Sequence, residues 1–121
     1  MVSPRHLLAP LAAACVLQIP MPAMAQQDVA LADLYNRRCA MCHGDKGEGT
    51  NHVMPRLGPA LKGNPFVVNG SVPALRNIIR KGRQGERRLY NDTYPNMPAF
   101  GSEAVPDADA LAGYLKGALQ R

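Results

Sequence analysis

The sequence predicts an all-α fold of three main helices joined by long loops. Three segments carry helical periodicity, and no run shows the alternation of apolar and polar residues typical of a strand. The loops are long and rich in turn formers, with six Gly and three Pro in residues 44–70. Because long structureless loops in a compact domain usually serve a site, we expect them to wrap a large ligand.

The first predicted helix spans about residues 28–42, and Asp28 is a candidate for its N-cap. One face of this helix is expected to carry Leu31, Leu34, Tyr35 and Arg38.

The other two helices have clear boundary signals. The second spans about residues 72–81, with Ser71 as the predicted N-cap and Gly82 as the stop. The third spans about residues 106–119, and Asp107 near its start suits the first turn of a helix.

The N-terminal 25 residues are predicted to be a cleaved secretory signal peptide. A short basic start precedes an apolar run at residues 7–19, and small residues end at Ala25. The run is shorter than the roughly 20 residues that a membrane-spanning helix needs. The expected mature domain is therefore residues 26–121, located in the periplasm with no stable membrane span.

Two other interpretations of this segment are disfavoured by its residues. A retained membrane anchor is disfavoured by Pro10, Pro20 and Pro22. A lipid anchor at Cys15 is disfavoured because the apolar stretch before it is short and Ala12 is a poor residue for lipoprotein cleavage.

The mature chain needs a stabilising element beyond its apolar core. It has no Trp and only two Phe, and a domain of this size buries too little surface to be more than marginally stable. A disulfide between Cys39 and Cys42 would close only a tiny loop. The whole chain of 121 residues has a formal charge of +5, which is modestly basic and compatible with an acidic protein partner, and no nucleic-acid partner is predicted.

The segment Cys39-Ala40-Met41-Cys42-His43 supplies that element, because it is the attachment motif for a c-type haem. Two thiols three residues apart in a helical turn can each form a thioether with one vinyl group of the same haem. His43 follows directly as the proximal iron ligand. A zinc site would need further ligands, of which only His52 remains, and a thioredoxin-like redox pair would need a strand–helix–strand unit.

Met97 is the predicted second axial ligand. It lies in a loop between the second and third helices, where Pro95 and Pro98 stiffen the backbone and reduce the entropy cost of ligation. The other candidates are Met41, Met54 and His52. All three are close in sequence to the proximal side, and we expect His52 to lie on the surface.

The carbonyl of Pro59 is the predicted acceptor for the second ring N–H of His43. A metal-bound histidine usually donates this N–H to a carbonyl or carboxylate, which fixes the ring orientation. The walls of the haem pocket are expected to include Leu61, Phe66, Leu75, Ile79 and Phe100.

In the order of these motifs, the chain resembles class I monohaem c-type cytochromes over nearly all of residues 26–121. The resemblance implies a small cytochrome c fold, three main helices and loops around one haem, with His43 and Met97 as axial ligands and one haem edge exposed. Residues 61–65 and 81–85 are more similar to cytochrome subunits or partners of bacterial periplasmic dehydrogenases. One departure is Leu31, where many relatives have Gly four residues before the aromatic.

The expected function is one-electron transfer and not catalysis, because two axial ligands leave no open iron position. A periplasmic dehydrogenase is the expected donor, and a terminal oxidase or another cytochrome the acceptor. The basic residues that would steer an acidic partner are Lys46, Arg56, Lys62, Lys81, Arg83, Arg87 and Arg88. Two alternatives are a tightly bound subunit of a dehydrogenase complex and a haem enzyme or gas sensor with an open iron position.

Overall fold

A computed structural model describes residues 18–90 and 93–121 of the chain. The cleavage site predicted after Ala25 falls within this range, whereas most of the predicted signal peptide and Cys15 lie outside it. The described residues form helices and no strand, which confirms the all-α fold. The helices are α1 (Ala23–Arg38), α2 (Ala40–His43), α3 (Pro65–Asn69), α4 (Val72–Lys81) and α5 (Ala108–Lys116), with 3-10 helices at Gly85–Arg87 and Ala118–Gln120.

The first predicted helix is present, but its boundaries were wrong. It begins earlier, at Ala23, and Asp28 lies inside it, where its carboxylate accepts a hydrogen bond from Arg121 at 3.1 Å. The backbone departs from helical geometry at Cys39 (φ −122°, ψ −36°), so the attachment motif forms a separate turn, α2. Arg38 is exposed and does not share the buried face, of which Tyr35 is the fully buried residue.

Helix α3 was not predicted, because five residues are too few to show periodicity. Asn64 accepts a hydrogen bond from the backbone N–H of Phe66 at 2.9 Å, and Pro65 occupies the first helical position. Near its C-terminus, the Lys116 ammonium donates to the carbonyls of Val68, at 2.9 Å, and Gly70. These contacts fasten α3 to α5.

The boundary signals of the other two helices are confirmed. Ser71 caps α4 by accepting from Ala74 N–H at 3.2 Å, and Gly82 ends it at φ +64°. Asp107 caps α5 by accepting from Ala110 N–H at 2.8 Å. Helix α5 is shorter than predicted, because the chain turns at Gly117 into the last 3-10 helix.

The core lies where α5 packs against α4 and α1. Leu111 and Ala112 of α5 are fully buried, as is Tyr35 of α1. The Tyr35 ring packs against Tyr114 with centroids 6.1 Å apart, and its hydroxyl donates to the Gly44 carbonyl at 2.7 Å. Since Gly44 follows His43 directly, this contact ties the end of α2 to the core.

Arg80 of α4 holds the segment that leads into α5. Its guanidinium donates to the carbonyls of Val105 at 2.7 Å, Phe100 at 3.2 Å and Pro106 at 3.4 Å. One side chain therefore satisfies three carbonyls of a loop that lies outside any helix.

None of the helices among the described residues has both the length and the apolar character that crossing a bilayer requires.

Arg80→Lys is expected to lower the free energy of unfolding by about 1–3 kcal/mol, because an ammonium cannot reproduce the fork that spans three carbonyls. Arg76→Lys, on the exposed face of the same helix, keeps a cation beside Asp109 and changes only the geometry of a surface ion pair, so it is expected to cost less than about 1 kcal/mol. Denaturant unfolding of both variants tests this, and equal effects would contradict it.

Candidate haem-binding site

The attachment turn presents its two thiols and its imidazole in one helical turn. Cys39 and Cys42 are free and partly buried, and Cys39 and His43 line a mostly apolar cavity. Cys42 is not among the lining residues. Burial, reinforced by the neighbouring Cys42 sulfur, raises the pKa of Cys39 to about 11, and burial also raises the pKa of Cys42. Both thiols are therefore protonated at neutral pH.

His43 is held in one tautomer by the backbone. Its Nδ1 lies 2.8 Å from the carbonyl oxygen of Pro59. A carbonyl only accepts, so Nδ1 carries the proton and Nε2 keeps its lone pair. Burial lowers the pKa of His43 and outweighs the hydrogen bond to Pro59, which raises it. The neutral ring is the form that binds a metal.

Gly58 permits this hydrogen bond by its lack of a side chain. A Cβ at this position would lie 2.6 Å from the Cys42 carbonyl oxygen and 3.1 Å from Nδ1 of His43. Only glycine lets the backbone lie this close to the attachment turn, and so brings the next carbonyl, that of Pro59, to the imidazole.

Met97 is positioned by the chain that follows α4. Its backbone pairs with Arg83 through two hydrogen bonds, at 3.0 and 3.1 Å. Gly82, at φ +64°, is packed so tightly that a Cβ would collide with the Met97 carbonyl. The Met97 side chain is half-buried and lines the same cavity as His43.

The cavity has a volume of about 1000 Å³, including the part that opens to solvent. Its lining is mostly apolar and contains all five predicted walls: Leu61, Phe66, Leu75, Ile79 and Phe100. The ionisable or charged lining residues include His43, Arg83 and Arg88, and no described acidic side chain lines it. The alternative ligands Met41, Met54 and His52 are exposed and lie outside the lining.

These residues fit a haem. An apolar cavity of this size suits a large flat macrocycle, and the two guanidiniums complement its two carboxylates. The imidazole and the thioether are an established axial ligand pair for haem iron in cytochromes c.

Several residues of the site carry no sequence signal, because their contacts join distant loops. The Thr50 hydroxyl accepts from the N–H groups of Leu57 at 2.7 Å and Gly58 at 2.9 Å. Near the cavity mouth, Tyr94 donates to Asn51, and its carbonyl accepts from Arg88.

Residues 25–115 match the family model described as "Cytochrome C oxidase, cbb3-type, subunit III". The chain is 34% identical over 85 residues to the cytochrome c subunit of alcohol dehydrogenase (quinone) from Gluconacetobacter polyoxogenes, and equally to that from Komagataeibacter europaeus. The corresponding subunit from Gluconobacter oxydans (strain 621H) is 38% identical over 56 residues.

The first two alignments cover 70% of this chain but 14% of each relative, and the third covers 46% and 11%. The chain therefore spans about a seventh of the length of the curated relatives it matches. No solved structure matches the chain.

The all-α fold and the family match define a small haem protein of the cytochrome c class, an electron carrier. The match over residues 25–115 shows that the chain belongs to the cytochrome c family described by the cbb3-type subunit III model.

Gly82→Ala is expected to destabilise the protein and displace Met97, because it adds a collision with the Met97 carbonyl to the strain of a positive φ. Gly85→Ala is the matched control, since Gly85 has φ +55° but open space where a Cβ would lie. The control should cost about 1–2 kcal/mol and Gly82→Ala at least about 1 kcal/mol more. Equal unfolding free energies would contradict the role assigned to Gly82.

Proposed function

We propose that this chain is a periplasmic electron carrier with one covalently attached haem c. Cys39 and Cys42 form the two thioethers, and His43 and Met97 are the axial ligands of the iron. The observation that carries this proposal is the shared cavity: Cys39 and His43 of the attachment turn line it together with Met97, which lies far from them in the chain.

The bound haem supplies the one-electron redox chemistry, and the chain controls its surroundings. The Pro59 carbonyl holds the imidazole with Nε2 available, and the Arg83–Met97 pairing fixes the loop that carries the thioether. The apolar walls exclude water and disfavour the additional charge of the oxidised form, which raises the reduction potential. Two protein ligands leave no position for a substrate, so transfer is favoured over catalysis.

The partner is a redox protein with an acidic surface. Arg83 and Arg88 line the cavity, while Lys81 and Arg87, next to them in the chain, are exposed. Exposed Leu89 and Tyr90 also line the cavity, so apolar and cationic groups meet near its opening. Charge steers such encounters, and the small contact area allows rapid release. A dehydrogenase is the proposed donor, and a terminal oxidase or another cytochrome the acceptor.

A second candidate function is that of a fixed subunit in a dehydrogenase complex. The names of the relatives favour it, because each is the cytochrome c subunit of an alcohol dehydrogenase (quinone). The chain covers a small part of those subunits, so their other segments have no counterpart in the alignment.

The chain is proposed to be exported and then cleaved after Ala25. Residues 1–25 act as a signal peptide and residues 26–121 form the cytochrome domain. The family match begins at residue 25, close to the proposed start of the mature chain. Removal of residues 1–25 leaves Tyr35, the buried residue of α1, in place.

Met97→Ala is expected to open one axial position, so that the reduced variant binds carbon monoxide readily while the parent protein does not. Met54→Ala is the matched control, since Met54 is 84% exposed and outside the cavity. Absorption spectra of the three reduced proteins under carbon monoxide test this.

Intact mass of the same preparations tests the covalent link, which predicts one haem added to the polypeptide that begins at Gln26. Ready carbon monoxide binding by the parent protein would favour the haem enzyme or gas sensor over the carrier. A colourless product with the mass of the bare polypeptide would refute the proposal as a whole.

Affinity capture of the tagged, haem-loaded chain from its own periplasm separates shuttle from subunit. A shuttle that binds through charge should lose its partner between 50 and about 200 mM salt, because screening weakens exposed ion pairs. Retention of a flavin- or quinone-dependent dehydrogenase in stoichiometric amount at high salt would instead assign the chain as a subunit.

A further inference from the structure

The segment that presents the Pro59 carbonyl to His43 has no regular secondary structure to hold it. Residues 44–58 form a loop that leaves α2 and returns beside it. Backbone hydrogen bonds hold its turn, from Gly49 N–H to the His43 carbonyl at 2.7 Å and from Thr50 N–H to the Gly58 carbonyl at 3.0 Å. These two bonds join residues 49 and 50 to the backbone of His43 on one side and to the residue before Pro59 on the other.

Thr50 is a polar residue buried at this junction, with 9% of its surface exposed. Its hydroxyl oxygen accepts from Leu57 N–H at 2.7 Å and from Gly58 N–H at 2.9 Å. The hydroxyl proton has two acceptors in reach, the carbonyls of Cys42 at 3.3 Å and of Gly58 at 3.2 Å. One side chain thus joins the attachment turn to the two residues that precede Pro59.

We propose that Thr50 is the positioning residue that sets the strength of the hydrogen bond between His43 and Pro59, and through it the reduction potential. This inference rests on the proposed function, because it requires His43 to be the iron ligand. Thr50 does not touch the imidazole. It holds Leu57 and Gly58 against the Cys42 carbonyl, so that Pro59 cannot retreat from Nδ1.

The direction of the effect follows from the chemistry of the ligand. A hydrogen bond donated by Nδ1 gives the ring partial imidazolate character and makes Nε2 a stronger donor to the iron. A stronger donor stabilises the oxidised form, which carries the higher charge. Loosening this bond therefore raises the reduction potential.

Thr50→Val removes the hydroxyl while nearly keeping the shape, and leaves the N–H groups of Leu57 and Gly58 without their acceptor. The equilibrium is expected to shift about threefold to tenfold toward the reduced form. That shift corresponds to about 30–60 mV, at 59 mV per tenfold for one electron. Thr50→Ser keeps the hydroxyl and is expected to restore the potential to within about twofold of the parent equilibrium.

Thr93→Val is the matched control, because it makes the same chemical change at an exposed position. Its potential should equal that of the parent. Redox titration of the four haem-loaded proteins, with thermal unfolding alongside, gives both readouts. If Thr50→Val lowers the melting temperature but leaves the potential unchanged, Thr50 is only structural and the inference is wrong.

Proton exchange in the reduced parent protein tests the same point without any variant. The Nδ1 proton of His43 and the amide protons of Leu57 and Gly58 are expected to share one slow exchange rate, because a single opening frees all three. An Nδ1 proton that exchanges independently of both amides would overturn the inference even where Thr50→Val fails to fold. A parent protein without haem would instead refute the proposed function.

Discussion

The hydrogen bond from Nδ1 of His43 to the Pro59 carbonyl is the contact on which the proximal side of the cavity depends. It fixes the tautomer, and so decides which ring nitrogen is available to a metal. It also joins the end of α2 to a residue 16 positions further along the chain, in a loop that has no regular secondary structure. The loop must therefore be shaped by its own side chains and glycines, and Gly58 and Thr50 are the residues that meet this requirement.

The side of the cavity that carries Met97 is built by different means. The loop that precedes Phe100 in the chain is held by two contacts. Arg83 pairs with Met97 in a short antiparallel bridge, and the backbone of Gly82 packs tightly against Met97. Arg80 holds the segment that follows this loop by donating hydrogen bonds to three of its carbonyls. All of these contacts start from the C-terminal end of α4 or just beyond it, so α4 acts as the frame for this half of the site.

These two halves face one apolar cavity, and the protein core beside it is small. The buried set is dominated by α4, α5 and Tyr35 of α1. A domain of this size gains much of its stability from whatever fills such a cavity, as small cofactor-binding and metal-binding domains do. In the proposed function, binding of the haem and consolidation of the fold are the same event. The family match over residues 25–115 includes both halves of the site, so both belong to the same family domain.

The sequence by itself determined the fold class and the motif that defines the site. Ser71, Gly82 and Asp107 act locally, and a cap or stop signal needs only its neighbours in the chain. The attachment motif likewise lies within one turn. The five apolar wall residues were also predicted, because a small domain that binds a large cofactor is expected to bury its apolar side chains against it.

The tertiary structure decided what depends on distant contacts. The break at Cys39, the short helix α3 and the early start of α1 were missed. Helix α3 is too short to show periodicity, and the first residues of α1 are mostly exposed, so no apolar pattern marks where that helix begins. No pattern indicated that Arg80 binds three carbonyls or that Thr50 joins Cys42 to Gly58. Such polar contacts depend on where two loops meet, and the chain reaches that arrangement only when its core has formed.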